Sequence, residues 1–251
     1  MRILSIGNSF SQDAHRWLHE ICKTQGVECE CVNLYIGGCA LETHWYNYEN
    51  NLAEYDYELN GVFTKKSSIN EALAEKNWDI ITFQQVSQLS GVEDSYNPYL
   101  LNLSKAVKKE VPGAKFYIHE IWSYESDSTH GGFVLYDNDQ RKMYDRLKET
   151  YKKAGELINA PVIPSGDVIQ YLRENVEFFD YKNGGKSLNR DGYHLSHTYG
   201  RYAAALTWYG ILFNADVLNV DFVPEDGDEV VDKDILKIIN ESVNKVIAGE
   251  K

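Results

Sequence analysis

The sequence has few cysteines, few prolines and no long apolar run, and each shortage narrows the class of protein. Its 4 cysteines include no C-x-x-C pair, which argues against a zinc site and predicts buried thiols in a reducing compartment; they are Cys22, Cys29, Cys31 and Cys39. No apolar run approaches the roughly 18 residues that a membrane span needs. There is no Pro- or Ser-rich linker, internal repeat or low-complexity tract, so we expect residues 1–251 to form a single domain.

Basic side chains are also in short supply. Lys and Arg number 25 against 38 Asp and Glu, which gives a formal net charge of −13. Because binding to a nucleic-acid backbone depends on clustered cations, we expect no nucleic-acid partner, and we expect no membrane partner either. An acidic surface suits a protein that acts on neutral or small ligands. No secretory signal follows Met1, so we expect a cytoplasmic location, with a periplasmic or secreted one open if a signal peptide preceded the sequence.

Short apolar segments alternate with helical patterns along the chain. RILSIG (Arg2–Gly7) is typical of a buried parallel strand, and a helix is predicted from Ser11 to Thr24. Further predicted strands are CECVNLY, WDIITFQQ, KFYIHEIW and PVIP. Alternating residues that end at Asn60-Gly61 predict a β-hairpin inserted in this pattern. The alternation predicts an α/β fold, a parallel sheet covered on both faces, with its functional residues at the carboxyl ends of the strands.

The first predicted strand ends in IGNSFS, which places Ser9 at a strand-to-helix turn. A serine there exposes its hydroxyl at the sheet edge, and its backbone N–H lies at a helix start that favours negative charge. Ser9 is therefore a candidate nucleophile and oxyanion donor. The alternative interpretation is that Ser9 or Ser11 caps the helix.

The segment NRDGYHLS places Asp191 and His194 three residues apart in a turn. A nucleophilic hydroxyl needs a base, and the base needs an acceptor for its other ring nitrogen. Asp191 can accept from Nδ1 of His194 and leave Nε2 for a proton. Alternatively, Asp191 caps the turn and His194 packs under the last helix, while His197 competes as the base.

Two further strand ends carry polar or flexible residues. YIGGCALETHW has paired glycines, and the N–H of Gly38 is a candidate second oxyanion donor, although a plain strand-to-helix turn explains the same pattern. FQQVSQLSG places Gln84 and Gln85 at the end of an apolar strand, which suggests a polar cavity. Gln84 is a candidate third donor, and a surface loop is the alternative for Gln85.

Taken together, IGNSFS, YIGGCALETHW, WDIITFQQVS and DGYHLS resemble the SGNH hydrolase (GDSL-like esterase) superfamily, and especially its carbohydrate-esterase-like branch with the DUF4886 group. The resemblance spans nearly the whole chain. It implies a three-layer α/β/α, flavodoxin-like fold with a mostly parallel five-stranded sheet, Ser9 as nucleophile, His194 as base and Asp191 as its acid. Two departures stand out, because GNS replaces the usual GDS and the G-x-N-D block is absent.

The chemistry that these residues predict is acyl transfer from an ester, with no metal or other cofactor. The resemblance implies removal of small acyl groups, acetyl above all, from a carbohydrate. Predicted substrate contacts, chosen as aromatic or polar residues near the strand ends, are Asn8, Trp45, Gln85, Trp122 and His130. A glycan-binding module with a decayed site and a lipase or thioesterase remain alternatives, and the oligomeric state is open.

Overall fold

The protein contains a seven-stranded sheet, and its computed structural model describes residues 1–225, 227 and 230–249. The strands are β1 (Arg2–Gly7), β2 (Glu30–Tyr35), β3 (Tyr55–Leu59), β4 (Val62–Ser67), β5 (Ile80–Phe83), β6 (Lys115–Glu120) and β7 (Val162–Pro164). Their order across the sheet is β4-β3-β2-β1-β5-β6-β7. The α/β class is confirmed, and the sheet has two more strands than the five that the resemblance implied.

The middle of the sheet is parallel, as the alternation of strands and helices predicted. β1 pairs in parallel with β2 on one side and with β5 on the other, and β5 pairs in parallel with β6. β1 and β5 are buried along almost their whole length, which explains why both read as continuous apolar runs. Since these strands all point the same way, their carboxyl ends lie at one edge of the sheet.

The inserted hairpin supplies the two extra strands. β3 pairs antiparallel with β2, and β4 pairs antiparallel with β3. The turn between them has φ of 50° at Asn60 and 79° at Gly61, the positive values that a two-residue hairpin loop requires. The sequence predicted the hairpin but not its place; the hairpin covers the edge of β2 that would otherwise lack backbone partners.

Nine α-helices are described: α1 (Ser9–His15), α2 (Leu18–Thr24), α3 (Leu41–Glu49), α4 (Ile69–Glu75), α5 (Tyr99–Glu110), α6 (Gln140–Ile158), α7 (Ser165–Asn175), α8 (Tyr199–Phe213) and α9 (Lys233–Ile247). The single helix predicted from Ser11 to Thr24 is two helices. α1 ends where the N–H of Arg16 bonds the carbonyl of Asp13, a tighter turn than an α-helix makes.

The chain divides into two compact units. The first comprises Met1–Gln12, Glu28–Glu120 and Arg146–Val162, and it holds β1 to β6 with α3, α4 and α5. The second comprises Asp13–Val27, Ile121–Asp145 and Ile163–Lys251, and it holds α2, α7, α8 and α9. No described helix combines the length and the apolarity that crossing a membrane requires.

Candidate functional site

In the first unit, Ser9 lies at the strand-to-helix turn, one residue beyond β1 and at the first position of α1, two residues before the predicted helix start at Ser11. The neighbouring Gly7 is required, because a Cβ on it would lie 2.0 Å from Oγ of Ser11. The cap of α1 is Asn8, whose Oδ1 accepts the N–H of Phe10 at 3.0 Å. Helix capping is therefore done by Asn8, and Ser9 remains the candidate nucleophile at the carboxyl edge of the sheet.

Asn8 is buried and connects three strand ends. Its Nδ2 donates to the carbonyl of Cys39 at 3.2 Å, and its Oδ1 accepts Nε2 of Gln84 at 2.5 Å. Being 1% exposed, Asn8 has no surface to offer a ligand. The structure thus gives Asn8 a supporting position between the loops that follow β2 and β5, in place of the predicted substrate contact.

The paired glycines after β2 form a tight turn, which we call the glycine turn (residues 36–39). It is closed by the N–H of Cys39, which donates to the carbonyl of Ile36 at 3.2 Å. Gly38 has φ of +65°, as the third residue of a type II turn does. It is exposed, and its N–H has no hydrogen-bond acceptor among the described residues. This amide is therefore available to an anion.

The two glutamines after β5 both support that turn. Oε1 of Gln84 lies 2.8 Å from Nδ1 of His119, and its Nε2 donates to Asn8. Oε1 of Gln85 accepts the N–H of Leu41 at 2.9 Å, just beyond the turn. Both side chains are buried. The buried polar groups are used in these contacts, so Gln84 and Gln85 act as supporting residues. The structure therefore corrects the predicted oxyanion bond from Gln84 and the predicted substrate contact from Gln85, because neither side chain is open to a ligand.

In the second unit, Asp191 and His194 are hydrogen-bonded. Oδ2 of Asp191 lies 2.7 Å from Nδ1 of His194, and Oδ1 accepts the backbone N–H of His194 at 2.7 Å. The carboxylate thus assigns the Nδ1 proton and leaves Nε2 as the proton acceptor. His197 lies in the turn before α8, where its carbonyl accepts Nε1 of Trp17 at 3.0 Å.

Residues 189–195, which we call the histidine loop, are held from several sides. Its ends pair through the bridge between Asn189 and Leu195. The carbonyl of Tyr193 accepts Nε1 of Trp122 at 2.7 Å, and Nδ2 of Asn189 donates to the carbonyl of His194 at 3.2 Å. The backbone around Asp191 and His194 is therefore held by several hydrogen bonds.

A further support, which sequence reasoning missed, is Asp13 in α1. Its carboxylate is 0% exposed and accepts Nη1 of Arg190 at 3.0 and 3.1 Å, Nε of Arg201 at 2.8 Å and the N–H of Leu195 at 2.8 Å. One carboxylate thus bonds both ends of the histidine loop. A lone aspartate in a short helix carried no signal of this role, because its partners lie far along the chain.

The predicted aromatic platforms are mostly structural. Trp122 is 0% exposed, so its ring has no face for a sugar, which corrects its assignment as a substrate contact. Trp45 is half-buried and stacks on Tyr48, with ring centroids 5.8 Å apart. His130 is half-buried beside Tyr193, at 4.9 Å between ring centroids, and Tyr193 in turn lies 4.3 Å from His194.

The electrostatics of the second unit fit an acid–base site. Burial, and then the nearby His194, lower the pKa of His130, against the opposing effect of Asp191. Burial alone raises the pKa of the Asp191 carboxyl, but the hydrogen bonds from the His194 ring and from two backbone N–H groups outweigh it and hold that pKa below its ordinary value. Asp191 therefore stays ionised beside the imidazole at neutral pH.

This lowered pKa makes stability depend on pH in a defined direction. A carboxyl whose pKa is lower in the folded protein stabilises it above the unfolded pKa, about 3.9, and loses that effect as the pH falls through the folded value. We expect Asp191→Asn to lower the free energy of unfolding at pH 7, with a difference from wild type that shrinks below about pH 4. Urea denaturation at a series of pH values measures it, and a difference that is the same at every pH would contradict the interpretation.

Solved structures similar to this chain include one from the DUF4886 family and two with lower sequence identity. A DUF4886 family protein from Bacteroides uniformis ATCC 8492 has 36% identity and a TM-score of 0.90, over 100% of this chain and 96% of that one. A protein from Slackia heliotrinireducens described as an SGNH hydrolase candidate has 22% identity and a TM-score of 0.58, over 84% and 98%. Axe2, an acetylxylan esterase from Geobacillus stearothermophilus, has 12% identity and a TM-score of 0.52, over 83% and 92%.

Curated relatives match over a shorter stretch. The ribosome maturation factor RimM of Streptococcus pyogenes is 30% identical over 115 residues, which is 45% of this chain and 64% of that protein. The chain thus matches less than two thirds of the length of this relative. A family model described as "Domain of unknown function (DUF4886)" instead matches residues 2–236. Together with the SGNH hydrolase fold, this match confirms the resemblance seen in the motifs, and the chain belongs to the DUF4886 family.

Proposed function

We propose that the protein is a serine esterase that removes small acyl groups, acetyl above all, from a carbohydrate. Ser9 is the nucleophile, His194 the general base and Asp191 the acid that orients it. The observation that carries the proposal is the 2.7 Å bond between Asp191 Oδ2 and His194 Nδ1, which prepares Nε2 to accept a proton. The placement of Ser9 at the end of β1, where a functional hydroxyl is expected in this fold class, supports it.

The proposed reaction has two stages. His194 Nε2 takes the hydroxyl proton of Ser9 as Oγ attacks the ester carbonyl, and the backbone N–H groups of Ser9 and Gly38 stabilise the oxyanion. The imidazolium then protonates the departing alcohol, which leaves an acyl-enzyme. Water, deprotonated by His194, attacks that ester, and the carboxylic acid departs as Ser9 regains its proton. None of these reaction steps uses a metal or another cofactor.

The proposal of a carbohydrate ester rests on the aromatic residues near Asp191 and His194 and on a similarity of fold to an acetylxylan esterase. His130 and Tyr193 present a half-buried aromatic pair beside the acid–base pair, a surface suited to a sugar ring. In the first unit, Tyr46 is exposed beside the half-buried Trp45. The similar fold of an acetylxylan esterase is consistent with this substrate class.

The experiment that tests the function combines labelling with a substrate series. A serine-reactive phosphonate is expected to modify Ser9 alone, as peptide mass spectrometry reports. We expect p-nitrophenyl acetate to be hydrolysed faster than esters of longer acyl chains, and acetylated xylo-oligosaccharides to release acetate. Preference for long chains would favour a lipase, and failure on every ester together with binding of the oligosaccharide would favour a glycan-binding module.

A further inference from the structure

We propose that His119, Gln84 and Asn8 form a one-way chain of hydrogen bonds that fixes the glycine turn, so that Asn8 is a positioning residue. The chain runs from Nδ1 of His119 to Oε1 of Gln84 at 2.8 Å, and from Nε2 of Gln84 to Oδ1 of Asn8 at 2.5 Å. It ends where Nδ2 of Asn8 donates to the carbonyl of Cys39 at 3.2 Å. Its importance for catalysis rests on the proposed function, in which Gly38 stabilises the oxyanion.

The direction of the chain follows from one backbone contact. The N–H of Phe10 can only donate, and it bonds the Asn8 side chain at 3.0 Å, so the atom that it meets is the carbonyl oxygen. That oxygen also meets Gln84, which must therefore present its NH₂ group there and its own oxygen to His119. It follows that Nδ1 of His119 carries a proton. Every amide orientation in the chain is thus set by the start of α1.

Burial makes this arrangement sensitive to a change of one atom. Asn8, Gln84, His119 and Cys39 are all buried, so water does not replace a lost partner. In a water-poor site, linked hydrogen bonds polarise one another and strengthen together. Loss of the last bond would release the carbonyl of Cys39 and loosen the peptide between Cys39 and Ala40, at the end of the glycine turn.

This chain of hydrogen bonds gives a physical reason for asparagine in the GNS motif of this protein. An aspartate at position 8 still accepts from Phe10 and Gln84, but it cannot donate to the carbonyl of Cys39. A carboxylate oxygen 3.2 Å from that carbonyl repels it. Asn8 can therefore bond groups from all three strand ends at once. We expect Asp at position 8, the residue of the usual GDS motif, to lower the activity of this protein.

Asn8→Asp is the decisive variant. We expect kcat for p-nitrophenyl acetate to fall about 10²-fold, because a displacement of about 1 Å in a group that contacts the transition state costs that much. KM is expected to stay within about threefold, since the oxyanion forms only after binding. The matched control is Asn240→Asp. Asn240 is also buried, accepts the hydroxyl of Tyr202 at 2.7 Å and donates to the carbonyl of Val220 at 2.9 Å. Asn240→Asp makes the same change from amide to carboxylate, in α9, and is expected to keep the wild-type kcat.

Hydrogen exchange of two amides gives a readout that does not depend on activity. The N–H of Cys39 closes the glycine turn, and that of Leu41 bonds Gln85. Both are expected to exchange faster in Asn8→Asp and at the wild-type rate in Asn240→Asp. Unchanged exchange in Asn8→Asp would overturn the proposal, as would faster exchange with unchanged kcat. If the wild type hydrolyses no ester, the proposed function fails, while exchange still decides whether the chain holds the turn.

Discussion

Replacement of Ser9 by alanine is expected to abolish ester hydrolysis and leave the fold intact. Without the hydroxyl no acyl-enzyme forms, and kcat falls by about 10⁴-fold or more, the scale seen when a triad nucleophile is removed. The thermal midpoint is expected to stay within a few degrees of wild type, because Asn8 and not Ser9 caps α1. Initial rates with p-nitrophenyl acetate and a thermal melt measure the two quantities.

Ser242→Ala is the control for this experiment. Its hydroxyl is buried and donates to the carbonyl of Ile238 within α9 at 2.7 Å, so its loss removes a serine hydroxyl without touching the proposed chemistry. We expect full activity from this variant. If Ser9→Ala retained activity while losing much of its stability, Ser9 would be a structural serine and the nucleophile would lie elsewhere.

Removal of the Asp13 carboxylate is expected to have the largest effect on stability. Asp13→Ala leaves the side chains of Arg190 and Arg201, which are 24% and 14% exposed, without the fully buried anion that they share, and leaves the N–H of Leu195 unpaired. Breaking a buried ion pair by removing one partner typically costs about 3–5 kcal/mol. Because the same carboxylate bonds both ends of the histidine loop, we also expect kcat to fall about 10²-fold in the folded fraction.

The matched control is Asp145→Ala, which removes an exposed ion pair. Asp145 accepts Nε of Arg141 at 3.0 Å with more than half of each side chain exposed, and such pairs contribute less than about 1 kcal/mol. Urea denaturation of both variants gives the comparison, and Asp13→Asn, which keeps the side-chain volume, serves if the alanine variant does not fold. Equal, small losses from Asp13 and Asp145 would show that the buried cluster does not hold the loop.

The local features of the fold could be predicted from the sequence, because each depends on residues that are close together in the chain. The strand that precedes Ser9, the hairpin at Asn60-Gly61 and the pairing of Asp191 with His194 all follow from short patterns of burial, turn chemistry and spacing. The break between α1 and α2 was missed. It lies where the N–H of Arg16 bonds the carbonyl of Asp13, in a stretch with no glycine or proline to indicate a break.

Side-chain roles at the strand ends were harder to predict. A polar residue near a sheet edge can either support a neighbouring loop or contact a ligand, and its polarity does not distinguish the two. Gln84 and Gln85 are polar, follow a strand and were predicted to donate to an oxyanion and to contact the substrate. Both are buried instead: Gln84 bonds Asn8, which follows β1, and Gln85 bonds the N–H of Leu41, which follows β2. Trp122 likewise follows β6, but its indole N–H bonds the carbonyl of Tyr193. Each of these partners comes from another segment of the chain, which only the folded structure brings close.

By itself the sequence determined the α/β class, the motifs of the family and the candidate residues for the proposed acyl transfer, because periodicity, glycine placement and D-x-x-H spacing are local properties. The tertiary structure alone decided that Asn8 caps α1 and holds Cys39, that Asp13 bonds both ends of the histidine loop, and that the hairpin joins the sheet at β2. These are contacts between distant segments. Their energy comes from burial and from satisfying each other's polar groups, which no single stretch of sequence can specify.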